Sequence, residues 1–239
     1  MTEPAPDFGP RLEKLGARFG LTEDQVEQLR RFGSLLVHDE FAPTTVRDPG
    51  RVRDDHLADA LVALELPVVA EGGLIADLGA GAGVPGIPLA VALPEARISL
   101  VEGNGRKCEF MARAVGLLEL GNTEVVHGRA ETWGDGLGRL DVVTSRALAP
   151  LDVLAEYAAP LLRIGGALVA WRGVREPQLE ADGARAAAIL GLSVAEPVRV
   201  EPYKGAENRY LHVMWKREET PSRFPRRDGV ARKRPLGRA

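Results

Sequence analysis

Residues 74–89 read LIADLGAGAGVPGIPL, and the fold is decided in this stretch. A short apolar run ends in Asp77, glycines follow at 79, 81 and 83, and Pro85, Gly86 and Pro88 close it. Gly81-Ala-Gly83-Val-Pro-Gly86 has the spacing G-x-G-x-x-G, a weak signal alone, because a purely structural tight turn satisfies it too. Context strengthens it. A strand-like run comes before and a helical segment after, and glycines at such a turn take positive φ and let the main chain approach a ligand with no side chain between.

Asp77 ends its run two residues before Gly79. A carboxylate there repels a pyrophosphate but suits a ligand bearing an ammonium group. The two prolines stiffen the helix entry, which suits a fixed nucleoside shelf better than a helix N-terminus set against a diphosphate. S-adenosylmethionine, with an amino-acid end, a ribose and no phosphate, meets both conditions. Glu102 ends the next apolar run and can accept from both ribose hydroxyls, as an acid there also does for NAD. After the third run, the turn His127-Gly-Arg-Ala-Glu131 falls where an adenine lies in such a fold, and Ala130 and Glu131 are its candidate contacts.

Outward from the glycines, strands are predicted at 74–77, 97–101, 124–127, 141–145, 167–171, 193–200 and 209–215. Helices are predicted at 87–93, 106–117, 151–162 and 177–190. This alternation predicts an α/β fold: a seven-stranded, mostly parallel sheet with helices on both faces and a ligand crevice at the carboxyl ends of the strands. No helix separates the last two strands, so one antiparallel strand is expected. Residues 1–70 read as a helical extension, with a capping box at Thr22-Glu-Asp-Gln25, a loop holding Pro43 and Pro49, and a helix after Asp54-Asp55. It is expected to act as a lid beside the crevice. Residues 71–217 form the ligand-binding domain and 218–239 a basic, flexible tail.

The 239 residues are 45% apolar and 27% charged, ordinary for a soluble globular protein. One cysteine, Cys108, leaves no internal disulfide or multi-cysteine metal site and fits a reducing cytoplasm. No secretory pattern and no bilayer-length apolar run is present, so a cytoplasmic protein without a membrane partner is expected. The net charge of −3 hides an asymmetry: residues 221–239 carry seven basic side chains and one acid, +6, leaving −9 for the rest. Such a tail suits a polyanion, though a solvated tail that binds nothing has the same composition.

At these residues the chain resembles the glucose-inhibited division protein B family, whose members are small-subunit ribosomal RNA methyltransferases that modify nitrogen 7 of a guanine near the decoding centre. The resemblance extends over nearly the whole chain. Its main element is DLGAGAGVPGIPLA from Asp77 to Ala90, where Val-Pro-Gly-Ile-Pro is far more specific than glycine spacing. Val143-Thr-Ser-Arg146-Ala147 is the second, and the ending Arg223-Phe-Pro-Arg226-Arg227 through Lys233-Arg-Pro-Leu236 the third. Thr44-Thr-Val-Arg47-Asp48-Pro49 and His56-Leu-Ala-Asp59 match more weakly. The resemblance implies a Rossmann-like class I methyltransferase fold, S-adenosylmethionine as cofactor, and 16S ribosomal RNA or the small ribosomal subunit as partner, the target being guanine 527 in that RNA's standard numbering. It implies cofactor contacts at Gly79, Val84, Ala130, Glu131 and Arg146, which join Asp77, Gly81 and Glu102. A monomer without a metal is expected.

The chemistry agrees. The position after the fourth strand reads Ser145-Arg-Ala-Leu148, not the N/D-P-P-aromatic tetrad that commonly holds an exocyclic amine. Cys108, needed as nucleophile for pyrimidine carbon 5, falls in a helix away from the crevice and reads as core. Guanine nitrogen 7 has an in-plane lone pair, so catalysis reduces mainly to alignment and desolvation, without a base. Arg146 is the candidate catalytic residue through positioning; a sheet-end ion pair with Glu131 would be its structural alternative. Arg172, Arg223, Arg226, Arg227 and Lys233 are the candidate RNA contacts. His56 and Asp59 share a helix face and read first as internal hydrogen-bonders, second as substrate contacts. A same-fold methyltransferase acting on protein or a small molecule, an NAD-dependent oxidoreductase and a non-catalytic ribosome-binding protein are the alternatives left open by the residues themselves.

Overall fold

In the computed structural model, which describes residues 8–238, the apolar runs become one mixed sheet. Its strands are β1 (Leu74–Leu78), β2 (Arg97–Glu102), β3 (Thr123–His127), β4 (Leu140–Arg146), β5 (Leu162–Arg172), β6 (Leu192–Val194), β7 (Val198–Arg199) and β8 (Tyr210–Lys216). The order is β3-β2-β1-β4-β5-β8-β6, with β7 also pairing to β8. β1 to β5 are parallel, and β8 runs antiparallel to β5, β6 and β7. The antiparallel strand expected at the end is therefore present. The strand predicted at 193–200 is two short strands, because Pro197 has no N–H to give to a ladder; this makes eight strands, not seven.

β1 lies between β2 and β4, so chain direction across the sheet reverses there, and the carboxyl ends of β1 and β4 flank the crevice. Alternation along the strands sends side chains to two cores. Ile75, Val142 and Val169 face one apolar cluster, and Ala76, Val143 and Leu168 the other.

Helices α1 (Pro10–Arg18) and α2 (Glu23–His38) open the extension. Thr22 caps α2 with both halves of the capping box, Gln25 N–H to Thr22 Oγ1 at 3.3 Å and Thr22 N–H to Gln25 Oε1 at 2.8 Å. The helix expected after Asp54-Asp55 begins earlier. Pro49 starts α3 (Pro49–Arg51), where a proline's missing N–H costs nothing, and Asp48 caps it by accepting from Arg51 N–H at 2.8 Å. A π-helical turn (Val52–Ala58), α4 (Asp59–Leu61), a 3₁₀ turn (Val62–Glu65) and α5 (Pro67–Ala70) follow. The extension shares its core with the sheet: Leu29, Phe32, Val52, Leu57 and Leu61 belong to the same cluster as Ile75, Ile87 and Val169. On this face the sheet is also covered by α6 (Gly86–Ala92) and α7 (Gly105–Leu117), and on the other by α8 (Leu151–Ala158) and α9 (Pro177–Ile189).

The tail differs from the flexible segment expected. Phe224 and Ala231 are buried, and α10 (Val230–Lys233) lies against α8. Two acids of α8 hold it. Arg226 Nε donates to Glu156 Oε1 at 2.7 Å, and Arg238 Nε to Asp152 Oδ2 at 2.9 Å, and both carboxylates are fully buried. The tail charges are thus partly a fold device, pairing acids that burial would otherwise leave uncompensated.

Candidate active site

Gly79, Gly81 and Gly83 all have φ between +60° and +83°, a backbone other residues resist. The loop crosses onto β2, with Gly79 N–H donating to Val101 O at 2.8 Å. Asp77 sits beneath it. Its Oδ2 accepts from Gly86 N–H at 3.0 Å and its Oδ1 from the Thr144 hydroxyl at 3.3 Å. Burial pushes its pKa up to about 7, against the Gly86 N–H, Arg146 and Thr144, which favour the charged form. Asp77 therefore shapes the loop from below. Gly86 is tight against Asp77 and Leu100, whereas a Cβ on Gly81 would meet only Gly79 O, at 3.7 Å, so space opens above the loop.

Glu102 joins this loop to the next. Its Oε2 accepts from Gly81 N–H at 3.1 Å and its Oε1 from Asn104 N–H at 2.9 Å. Val84 and Ala130 are buried beside the crevice, with Ala130 in a 3₁₀ turn (Ala130–Thr132) after β3. Glu131 does not pair with Arg146; its Oε1 accepts from Gly229 N–H at 3.3 Å, so the tail reaches the turn after β3. Arg129 bonds Asp228 there at 2.6 Å. An open shelf of glycine backbone and a carboxylate at the neighbouring strand end fit the ribose of S-adenosylmethionine.

Arg146, the last residue of β4, turns to the extension. Its Nη1 donates to Asp55 O at 2.7 Å and Asp59 Oδ2 at 3.0 Å, and its Nη2 lies 3.1 Å from His56 Nδ1. Residues 55–59 bring these three together, His56 and Asp59 from one helix face and Asp55 through its carbonyl oxygen. Arginine only donates, so His56 Nδ1 accepts, and the ring proton is assigned to Nε2, 3.0 Å from Thr44 Oγ1. Burial and Arg146 lower the His56 pKa to about 4, which keeps the ring neutral. Burial raises the pKa of Asp59, opposed by Arg146 and Arg209. Trp171 Nε1 donates to Asp59 O at 2.7 Å, Tyr203 OH to Asp55 Oδ1 at 2.7 Å, and Arg209 Nε lies 3.4 Å from Asp59 Oδ1. Of these, His56, Asp59, Arg146, Trp171 and Arg209 border a cavity of about 510 Å³ where β4 and β5 end and β8 begins, within the roughly 300–1,000 Å³ of small-ligand sites. Arg146 therefore stands between the glycine crevice and a second pocket.

A larger cleft, about 1360 Å³, lies at the opposite end of the sheet, lined by Leu74, Arg97, Thr123 and Leu140 at the starts of β1 to β4. Size alone would select it, but it lies away from every glycine-loop and strand-end group. Of the RNA candidates, Arg172 is half-buried at the second pocket and donates to Ala149 O at 3.3 Å. Arg223, Arg227 and Lys233 are exposed. Arg226 is not free for RNA, because its fork is taken by Glu156. Cys108 is buried, with Sγ 3.3 Å from Glu102 O, and is a core residue as expected. Trp171 and Arg209 went unmarked in the sequence, as did Asp55 and Tyr203 behind them; Arg146, Arg172 and the His56–Asp59 spacing pointed to this pocket.

The model of one family, described as rRNA small subunit methyltransferase G, matches residues 25–201. A ribosomal RNA small subunit methyltransferase G from Chloroflexus aggregans is 42% identical over 224 residues, 90% of this chain and 92% of that one. Its counterpart from Rubrobacter xylanophilus is 39% identical over 237 residues, 96% of this chain and 90% of that one. Among solved structures, a SAM-dependent methyltransferase from Aquifex aeolicus superposes with a TM-score of 0.53 at 16% identity, covering 68% of this chain and 94% of that one, a likeness of fold.

Proposed function

Since the chain belongs to the rRNA small subunit methyltransferase G family, we propose that it methylates nitrogen 7 of a guanine in 16S ribosomal RNA. It is an S-adenosylmethionine-dependent rRNA methyltransferase, which sets aside the oxidoreductase and the non-catalytic binder. The observation that carries the finer reading is the placement of Arg146, with the glycine shelf on one side and a base-sized pocket on the other. S-adenosylmethionine supplies an activated methyl group. The chain's residues bind, orient and exclude water. Glycines 79 and 81, Glu102 and Ala130 form the cofactor side; Arg146 sets the boundary; Asp59, Trp171 and Arg209 line the base side. Nitrogen 7 presents its lone pair without losing a proton, which accords with a neutral, fully bonded His56 in the pocket wall.

The exposed cations Arg223, Arg227 and Lys233, with Arg172 at the pocket, are the proposed phosphate contacts. The target base must leave its stack or be unpaired to enter. Mass mapping of methylated guanines in small-subunit ribosomal RNA incubated with the purified protein tests the reading. One 7-methylguanine is expected; methylation of an exocyclic amine, a pyrimidine or protein instead would overturn it.

A further inference from the structure

The pocket wall contains an unsatisfied group. Asp59 is 5% exposed, and its Oδ1 makes no hydrogen bond among the described residues. Arg209 Nε, 3.4 Å away, holds that oxygen only as an ion pair. Buried carboxylate oxygens are nearly always hydrogen-bonded, so this one, bordering the pocket, is open to a donor from a bound base. We propose that Asp59 selects guanine at this pocket by accepting its N1–H and N2–H, while Arg146 donates to O6. The proposal rests on the guanine reading above and adds the residue that chooses the base.

The pairing follows from chemistry side by side. The bond from Arg146 Nη1 to Asp59 Oδ2, 3.0 Å, sets guanidinium and carboxylate side by side, so the wall presents the remaining Arg146 N–H groups next to the open Asp59 Oδ1. Guanine's edge runs O6 acceptor, N1–H donor, N2–H donor, and it matches this order. Adenine presents an amine donor and then an N1 acceptor, which sets donor against donor and lone pair against carboxylate. O6 neighbours nitrogen 7 on the ring, so a base read this way turns nitrogen 7 to the Arg146 side, where the cofactor crevice begins. Three of the five Arg146 N–H donors are engaged by Asp55, Asp59 and His56, leaving two that no described residue takes up. The acceptor is held in place from behind, since Trp171 Nε1 fixes the Asp59 carbonyl. Arg209, about a third exposed just before β8, is the ion-pair partner that a base donor would replace at Oδ1.

The test is single-turnover methylation of small-subunit RNA carrying guanosine, inosine or 7-deazaguanosine at the mapped position. Inosine keeps O6, N1–H and N7 but lacks the N2 amine. Wild-type protein should lose about tenfold on inosine, the worth of one hydrogen bond to a charged acceptor. Asp59→Asn should lose at least that on guanosine and show no further loss on inosine. An equal inosine penalty in both proteins, or no penalty in the wild type, overturns the proposal. Affinity for S-adenosylhomocysteine should stay within about twofold of wild type in D59N. Should D59N lose that binding, Asp59→Glu, which keeps the charge facing Arg146, supplies the same comparison; loss of cofactor binding in both assigns Asp59 to the scaffold and ends the proposal. The 7-deazaguanosine arm is separate: its methylation at the guanosine rate would end the nitrogen-7 reading and leave base selection by Asp59 standing or falling on the inosine result.

Discussion

The two sides of Arg146 are assembled in different ways. The proposed cofactor side is mostly main chain, from residues close in sequence or on adjacent strands: the glycine loop 79–83, Glu102 bonded to its Gly81 N–H, and the turn at Ala130. The pocket side is mostly side chains from segments far apart: His56 and Asp59 from the π turn and its end, Trp171 and Arg172 from β5, and Arg209 beside β8. A backbone shelf binds what every member of a fold class binds. A side-chain pocket can be altered position by position, which is why the proposed substrate choice is assigned to it.

Arg146→Ala tests whether the sides are joined, and the largest effect is expected there. It removes the cation that serves the buried Asp59 and His56, and breaking a buried pair costs about 3–5 kcal/mol. Both thermal stability and methyl transfer should fall, with S-adenosylhomocysteine affinity falling too; an intact affinity by calorimetry would make Arg146 a residue of the pocket side alone. Gly79→Ala addresses the cofactor side alone. At φ +70°, with a Cβ 2.6 Å from Leu148 Cδ1, the strain and lost approach should lower cofactor affinity about 100-fold, ~3 kcal/mol. RNA binding in a filter assay should be unchanged.

Acid should act on the pocket side. His56 is lowered from 6.5 to about 4 in the fold, so on acidification the unfolded chain takes up the proton first. Stability is then unaffected above pH 6.5 and declines between pH 6.5 and 4, by about 2 kcal/mol at pH 5. Asp77, raised to about 7, contributes in the opposite sense, since its buried neutral form is favoured as pH falls. Denaturation of the wild type and His56→Gln in parallel isolates the histidine, because Asp77 is common to both. The difference between them should narrow as pH falls from 6.5; a difference that does not change with pH contradicts the depressed value. The smallest effect is expected at the tail. Arg227→Ala should weaken RNA binding a few-fold and reduce the salt slope by about one, with no change in melting. Arg226→Ala, one residue away, should instead lower the melting temperature, because it strands the buried Glu156.

How far the sequence could be read follows the same division. Asp77, the glycines and Glu102 were visible because a strand, a turn and the next strand end place them at fixed offsets. The antiparallel β8 was visible because no helix separates it from the preceding strands. The extension's helix starts ahead of the expected Asp54-Asp55 because Pro49, placed in the preceding loop, occupies the first helical position with Asp48 as its cap. The π turn has no sequence pattern of its own, so nothing showed that Asp55, His56 and Asp59 all meet Arg146. The docked tail was missed because Asp152 and Glu156 look like exposed helix acids until α8 proves buried along its whole length.

The central claim is that Arg146 divides a sulfonium-nucleoside crevice from a base pocket. Its most direct test is a crystal structure with bound S-adenosylhomocysteine. The ribose should lie on Glu102, the adenine beside Ala130, and the sulfur should face the pocket of Asp59 and Arg209. A ligand seated in the cleft at the opposite end of the sheet, or one whose sulfur faces away from Arg146, would contradict it.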